Sequence, residues 1–238
     1  MTELLFRDDP YTKTCEATIT AINERGGIEL DRTIFYPTGG GQPGDTGVLR
    51  LSDGSEIAIA TTVKGDGPDG VIHVPAEGQD VPAVGTTVTA AIDWDVRHRL
   101  MRIHTCLHLL SSVVEYPVTG GQISDGKGRL DFDMPEMTVE KDAITERLNE
   151  LIAQAHPVSV GWISDEELTA QPDLVKTMSV KPPLGQGRVR LIDVDGCDLQ
   201  PCGGTHVKST GEIGPVTVRK IENKGKHNRR VNIIFKEA

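Results

Sequence analysis

The stretch TVTAAIDWDVRHRLMRIHTCLHLLSSVV, residues 87–114, changes its hydrophobic period part-way along and so divides the chain. Residues 87–92 form a short β-type run. Beyond Asp93 the apolar residues Val96, Leu100, Ile103, Leu107, Leu110 and Val114 recur at alternating spacings of four and three. That spacing predicts a helix with one buried stripe, and Asp93 is placed to cap its N-terminus.

Upstream, residues 1–92 alternate short β-type runs with turn signals and carry no apolar repeat of helical period. The runs are 15–22, 27–35, 48–51, 57–63, 71–74 and 87–92, with Asp53-Gly54 marking a hairpin. A small barrel is the natural closure for such strands. Downstream, a glycine-rich turn is expected at Gly120-Gly121 and a strand at 129–132. Ile144, Leu148, Leu151, Ile152 and Ala155 mark a second amphipathic helix, closed by Pro157. Ser164 and Glu167 form a capping box for a shorter third helix, and strands follow at 189–194, 216–221 and 231–235. The expected class is α+β: an N-terminal small β-barrel, 1–92, followed by a C-terminal α+β domain, 93–238, with helices packed on a mainly antiparallel sheet.

The chain's 238 residues have the apolar and charged content of an ordinary folded domain. Charged residues or prolines interrupt every hydrophobic run, which excludes a helical membrane span. Four scattered cysteines and a start without a basic, apolar leader lead to the expectation of a reduced, cytoplasmic protein. The formal net charge of −10 argues against nonspecific nucleic-acid binding. Charge is segregated, however. Between 218 and 236 lie Arg219, Lys220, Lys224, Lys226, Arg229, Arg230 and Lys236 against the single acid Glu222, which reads either as a solvated face or as a phosphate-binding one.

His104 and His108, three residues apart on the predicted first helix, share one side of it and can share an ion. Alone, such a pair is as readily packed or solvated. Cys202-Gly203-Gly204-Thr205-His206 adds a thiolate and an imidazole across a glycine turn that lets the backbone fold tightly around a cation. Two histidines with Cys202 and His206 make a mixed nitrogen and sulfur set that suits zinc. Cys197 could replace Cys202 as the sulfur donor. Cys106 should point away from its flanking histidines as a buried thiol, and His73, His98, His156 and His227 stand singly.

HTCLHLL at 104–110 together with CGGTH at 202–206 resembles the editing domain of alanyl-tRNA synthetases. FYPTGGGQPGDTG at 35–47 is similar to the glycine-rich motif of that domain's N-terminal barrel, found in the longer freestanding relatives called AlaX proteins, and TGEIGPVTVRKIENKG at 210–225 also resembles that family. The resemblance spans nearly the whole chain and lacks an aminoacylation core. It implies correction of charged tRNA without ATP, with Zn2+ held by His104, His108, Cys202 and His206. Cys106 and Leu107 depart from the commoner HTATHLL, which bears on the lining of the substrate pocket.

The partner so implied is the acceptor end of tRNA(Ala) carrying a wrong amino acid, serine first and glycine as well. A pocket shaped for alanine cannot exclude glycine and rejects an added hydroxyl poorly. Candidate substrate contacts are Gly39, Gly40, Gly41 and Gln42 in the glycine loop, Gln122 and Ser124 in the turn after the first helix, and the backbone of Gly203 and Gly204. Candidate tRNA contacts are Arg219, Lys220, Lys224, Lys226, Arg229 and Arg230. The competing readings are a zinc-stabilised tRNA-binding module without catalysis, a metal hydrolase of another ester or amide, and a threonyl-type editing domain.

Overall fold

The computed structural model describes residues 2–136, 139–177 and 187–236, and the chain folds as two compact units, 1–98 and 99–238. The first holds β1 (Glu3–Leu4), β2 (Thr14–Ile22), β3 (Ile28–Leu30), β4 (Arg32–Thr33), β5 (Gly47–Arg50), β6 (Glu56–Lys64), β7 (Val71–Pro75) and β8 (Thr87–Ile92). Six of these close a barrel in the order β2-β3-β7-β6-β5-β8, antiparallel at every junction. Alternate residues point inward, so Ala17, Ile19, Leu30, Leu49, Ile57, Ile59, Val88 and Ala90 fill the interior with Phe35. The run predicted at 27–35 is broken at Asp31. Its carboxylate accepts from the Thr18 and Arg32 backbone N–H groups, at 2.7 and 2.9 Å, and this local competitor ends the ladder. The strand beyond, β4, pairs instead with β1, in parallel.

The glycine motif is part of this barrel's architecture. Gly40 and Gly41, at φ +56° and +82°, form a two-residue turn closed by reciprocal Gly39–Gln42 backbone bonds of 3.1 and 2.9 Å, a conformation other residues reach at a cost. At Gly44 a Cβ would lie 1.9 Å from the Thr62 carbonyl oxygen, so only glycine fits. Asp45 is buried, as is Arg97. The Arg97 guanidinium holds both Asp45 oxygens and donates to the carbonyls of Pro10 and Ile34, while Asp45 also accepts from the Tyr36 N–H. Removing one partner of such a pair would strand the other, at about 3 to 5 kcal/mol.

The helix α1 (Trp94–Val113) starts at the predicted cap, where Asp93 Oδ1 accepts from the Val96 N–H. The second unit continues with β9 (Val118–Ser124), β10 (Lys127–Asp133), α2 (Lys141–Ala153), β11 (Val158–Ser164), α3 (Asp165–Ala170), β12 (Arg188–Val194), β13 (Asp198–Pro201), β14 (Val216–Asn223) and β15 (Asn228–Phe235). Two antiparallel sheets replace the one expected: β14-β15-β10-β9 and β11-β12-β13. Gly120 and Gly121 lie inside β9 and not in a turn. Paired with Asp131 and Leu130, they leave room for those side chains, and a Cβ on Gly121 would come 3.1 Å from Leu130. The helix α1 packs through Ile103 and Leu107 onto β10 at Gly128, where a Cβ would approach Ile103 to 2.7 Å. The capping box of Ser164 and Glu167 starts α3 as predicted. No helix among the described residues is long and apolar enough to cross a membrane.

His73 is wholly buried in the barrel. Its Nδ1–H donates to the Ile28 carbonyl at 3.0 Å, and its Nε2 lies 2.8 Å from the Thr33 hydroxyl. Burial holds its pKa down, from 6.5 to about 4, against the opposing pull of the Ile28 carbonyl. The folded value lies below the unfolded one, so the stability linked to a neutral His73 is present above pH 6.5 and is lost as pH falls through about 4. Denaturant unfolding of the full chain should show about 3 kcal/mol lost to this group between pH 7 and 4, and His73→Gln should flatten that dependence. An unchanged pH profile in the variant would contradict the assignment.

Candidate metal centre

Helical spacing sets His104 and His108 one turn apart on α1, with ring centroids 5.5 Å from each other. His206 lies between them, 4.2 Å from His104 and 4.6 Å from His108. The Cys202 sulfur is 3.5 Å from His104 Nε2 and 3.3 Å from His206 Nε2. One donor atom from each of the four lies within 4.8 Å of the others, and all three imidazoles are buried. Three neutral nitrogens and one thiolate are the donors a zinc-like cation prefers.

The surrounding side chains fix each imidazole's orientation. Asp198 Oδ2 accepts from His108 Nδ1–H at 2.9 Å, which turns Nε2 toward the cluster. Lys176 Nζ donates to the other Asp198 oxygen at 2.5 Å, and the Gln200 amide donates to Asp198 at 2.7 Å and to Ser111 at 3.2 Å. Thr105 Oγ1 lies 3.2 Å from His206 Nδ1 and accepts from the Val207 N–H. Arg190 Nη1 donates to the carbonyls of Cys202 and Gly204, both at 2.9 Å, and so closes the glycine turn from behind. Metal-binding histidines typically have their second ring nitrogen held in this way.

Burial opposes ionisation of Cys202, but the charges of His104 and His206 outweigh it and hold the thiol well below its usual range. Burial pushes His108 down, yet its hydrogen bond with Asp198 and its interaction with Cys202 raise it to about 9. Burial and the His104 charge keep His206 well below the ordinary imidazole value. A thiolate and a neutral imidazole are the forms that bind a cation.

Cys106 is buried, as expected, and burial pushes its thiol up to about 12. Cys197 sits in the turn between β12 and β13, outside the cluster.

The other candidates are more dispersed. Gly40 and Gly41 are exposed, whereas Gln42 is buried. Gln122 and Ser124 stand on β9 and not in a turn. Ile123, paired with Gly128, faces α1, so its two neighbours point to the opposite side of the sheet, where Gln122 accepts from Arg129 at 3.2 Å. Gly203 is exposed, with open space where a side chain would be. The Gly204 N–H donates to the Cys202 sulfur at 3.4 Å, which removes it as an oxyanion donor.

Arg229 is buried, its guanidinium committed to the Asn223 side chain and to the carbonyls of Gly225, Asn228 and Pro135. Its role is in the fold. Arg230 makes a two-pronged pair with Asp131, at 2.7 and 2.8 Å. Lys220 and Lys224 both reach Glu222, at 3.2 and 3.3 Å. Arg219, at the β14 bulge, and Lys226 are exposed and make no ion pair among the described residues.

The family description "Threonyl and Alanyl tRNA synthetase second additional domain" matches residues 189–232, and "tRNA synthetases class II (A)" matches 9–96. The alanyl-tRNA editing protein AlaX-M of Methanosarcina mazei is 38% identical, over 97% of this chain and 95% of its own length. The AlaX-M of Saccharolobus solfataricus is 34% identical, over 97% and 98%. The chain belongs to the AlaX-M family of alanyl-tRNA editing proteins. The alanine–tRNA ligase of Pyrobaculum arsenaticum is 36% identical over 93% of this chain but only 25% of the ligase, so the AlaX-M chain corresponds to about a quarter of that enzyme's length.

The sequence points to the four candidate ligands but not to Thr105, Asp198 and Gln200, which reach His206 and His108, nor to Lys176, which braces Asp198. One signal was present. In Asp198-Leu199-Gln200-Pro201-Cys202 every second residue shares a strand face, so Asp198 and Gln200 must point the same way as Cys202. Asp198→Ala should weaken zinc affinity about tenfold to a hundredfold while leaving the circular dichroism spectrum unchanged, as read by titration against a competing chelator. Parental affinity would show that Asp198 does not position His108.

Proposed function

We propose that this chain is a zinc-dependent, cytoplasmic hydrolase that deacylates mischarged tRNA(Ala), with Ser-tRNA(Ala) the principal substrate and Gly-tRNA(Ala) a second. The observation that carries this reading is the buried set of His104, His108, Cys202 and His206, donor atoms within 4.8 Å, in a chain whose full-length relatives are named alanyl-tRNA editing proteins. Zinc in such a site supplies Lewis acidity toward an ester carbonyl or its attacking water. The reaction breaks the bond between the acyl carbon and the ribose oxygen. Water oxygen joins the carbon, the ribose oxygen takes a proton, and free serine leaves the intact tRNA.

The chain's own residues bind and orient. Asp198 and Thr105 hold His108 and His206, and the exposed Gly203, with open space where a side chain would be, lets a substrate approach the backbone beside Cys202. The exposed Gly40-Gly41 turn of the first unit is a separate candidate contact with the tRNA. Asp198 is engaged by His108, Lys176 and Gln200, and is therefore not assigned as the base. Arg219 and Lys226 are the cations best placed for phosphates.

One observation favours a binding module instead: four protein donors complete the shell usual for structural zinc. Release of radiolabelled serine from Ser-tRNA(Ala), beside correctly charged Ala-tRNA(Ala), separates the two. Deacylation should be fast for serine alone and abolished by a chelator or by Cys202→Ala. Absence of release, with loss of fold on chelation, would establish the module. Arg219→Ala with Lys226→Ala should weaken tRNA binding and lower the slope of log affinity against log salt by about one per lost contact. An unchanged slope would remove these residues from the interface.

A further inference from the structure

The three-stranded sheet carries an exposed aromatic side chain in register with the metal cluster. Asp198 and Gln200 on β13 direct their side chains to His108, and Cys202, two residues on, directs its sulfur to His104 and His206, so this face of the sheet is the one that meets the cluster. The Cys202 N–H donates to the Arg190 carbonyl at 3.1 Å, continuing the β12–β13 ladder, and Arg190 pairs with Trp162 on β11. Cys202, Arg190 and Trp162 therefore form one row across the sheet. Paired residues share a face, and at about 4.8 Å per strand Trp162 stands about 10 Å from the Cys202 backbone.

Trp162 and its same-face neighbour Val160 are 36% and 40% exposed, an unusual placement for large apolar side chains on a sheet that otherwise buries Ile192 and Val194. The Arg188 guanidinium lies 4.3 Å from the Trp162 ring centroid, is exposed, and forms no ion pair among the described residues. An indole with a stacked guanidinium is the pairing that single-stranded nucleic acid recognises: the ring stacks a base and the arginine meets the adjoining phosphate. Its distance from the cluster fits an ester held at the cluster with the last bases of the same strand lying along the sheet.

We propose that Trp162 and Arg188 form a stacking platform for the unpaired 3′ end of the tRNA, holding one of its last two bases while the ester lies at the His104, His108, Cys202 and His206 cluster. This rests on the deacylase reading above. Trp162 is a positioning residue, so its effect belongs in substrate binding and not in the chemical step.

The test is steady-state deacylation of Ser-tRNA(Ala), paired with tryptophan quenching by an unacylated single-stranded RNA ending in CCA. Trp162→Ala should raise KM about fivefold to a hundredfold with kcat nearly unchanged and zinc content equal to that of the parent. Trp162→Phe should restore KM and abolish the quenching, and Arg188→Ala should raise KM and reduce its salt dependence. Parental KM in Trp162→Ala, or undiminished quenching in Trp162→Phe, would overturn the platform. A parent protein that fails to release serine but shows Trp162-dependent quenching would defeat the deacylase reading and leave the platform standing.

Discussion

Gathering three imidazoles and a thiol inside a protein is costly, because burial strips their water and within the set only the Cys202 sulfur attracts the protonated rings. Each polar group loses its water, and protonated rings repel one another at centroid separations of 4.2 to 5.5 Å. The fold nevertheless builds the arrangement. One turn of α1 presents two of the groups and a glycine turn presents the other two. Asp198, Thr105 and Arg190 then hold the rings and the turn, with Lys176 and Gln200 bracing Asp198. A divalent cation held there would replace the ring protons and convert the repulsion into coordination, with each of these supporting contacts orienting a donor.

The barrel shows the same economy in its glycine motif. Gly44 lets the chain pass against Thr62, the turn at Gly40-Gly41 reverses it, and Asp45 meets Arg97 in the dry interior. Most of FYPTGGGQPGDTG is thus explained by packing and hydrogen bonding, and the tip of the turn at Gly40-Gly41 is exposed. The basic tail divides similarly. Arg229 and Arg230 hold the sheet together, while Arg219 and Lys226 face solvent. Charge in the sequence did not distinguish these uses, because the distinction lies in strand parity and in the partner Asp131, about a hundred residues away.

What could be read from sequence was whatever depends on near neighbours. Most of the barrel strands, the cap at Asp93, and the box of Ser164 and Glu167 are local, and the structure has them; the helix expected to bury one stripe is instead buried on every side from Ile103 to Ser111. The cluster of His104, His108, Cys202 and His206 was legible because each pair obeys a short spacing. What failed depended on distant partners. Gly120 and Gly121 carry the composition of a turn, and only pairing with Leu130 and Asp131 makes them strand. The strand β11 was legible as well, since Val158, Val160 and Trp162 alternate with Ser159 and Gly161 at the period of a strand, although Val160 and Trp162 are exposed.

The central claim is the identity of the ion and its four donors. X-ray absorption at the zinc edge, on the purified full chain carrying one equivalent of zinc, measures those donors directly. One sulfur at about 2.3 Å and three nitrogens at about 2.0 to 2.1 Å are expected. A shell without sulfur, or one left intact in Cys202→Ala, would contradict the claim.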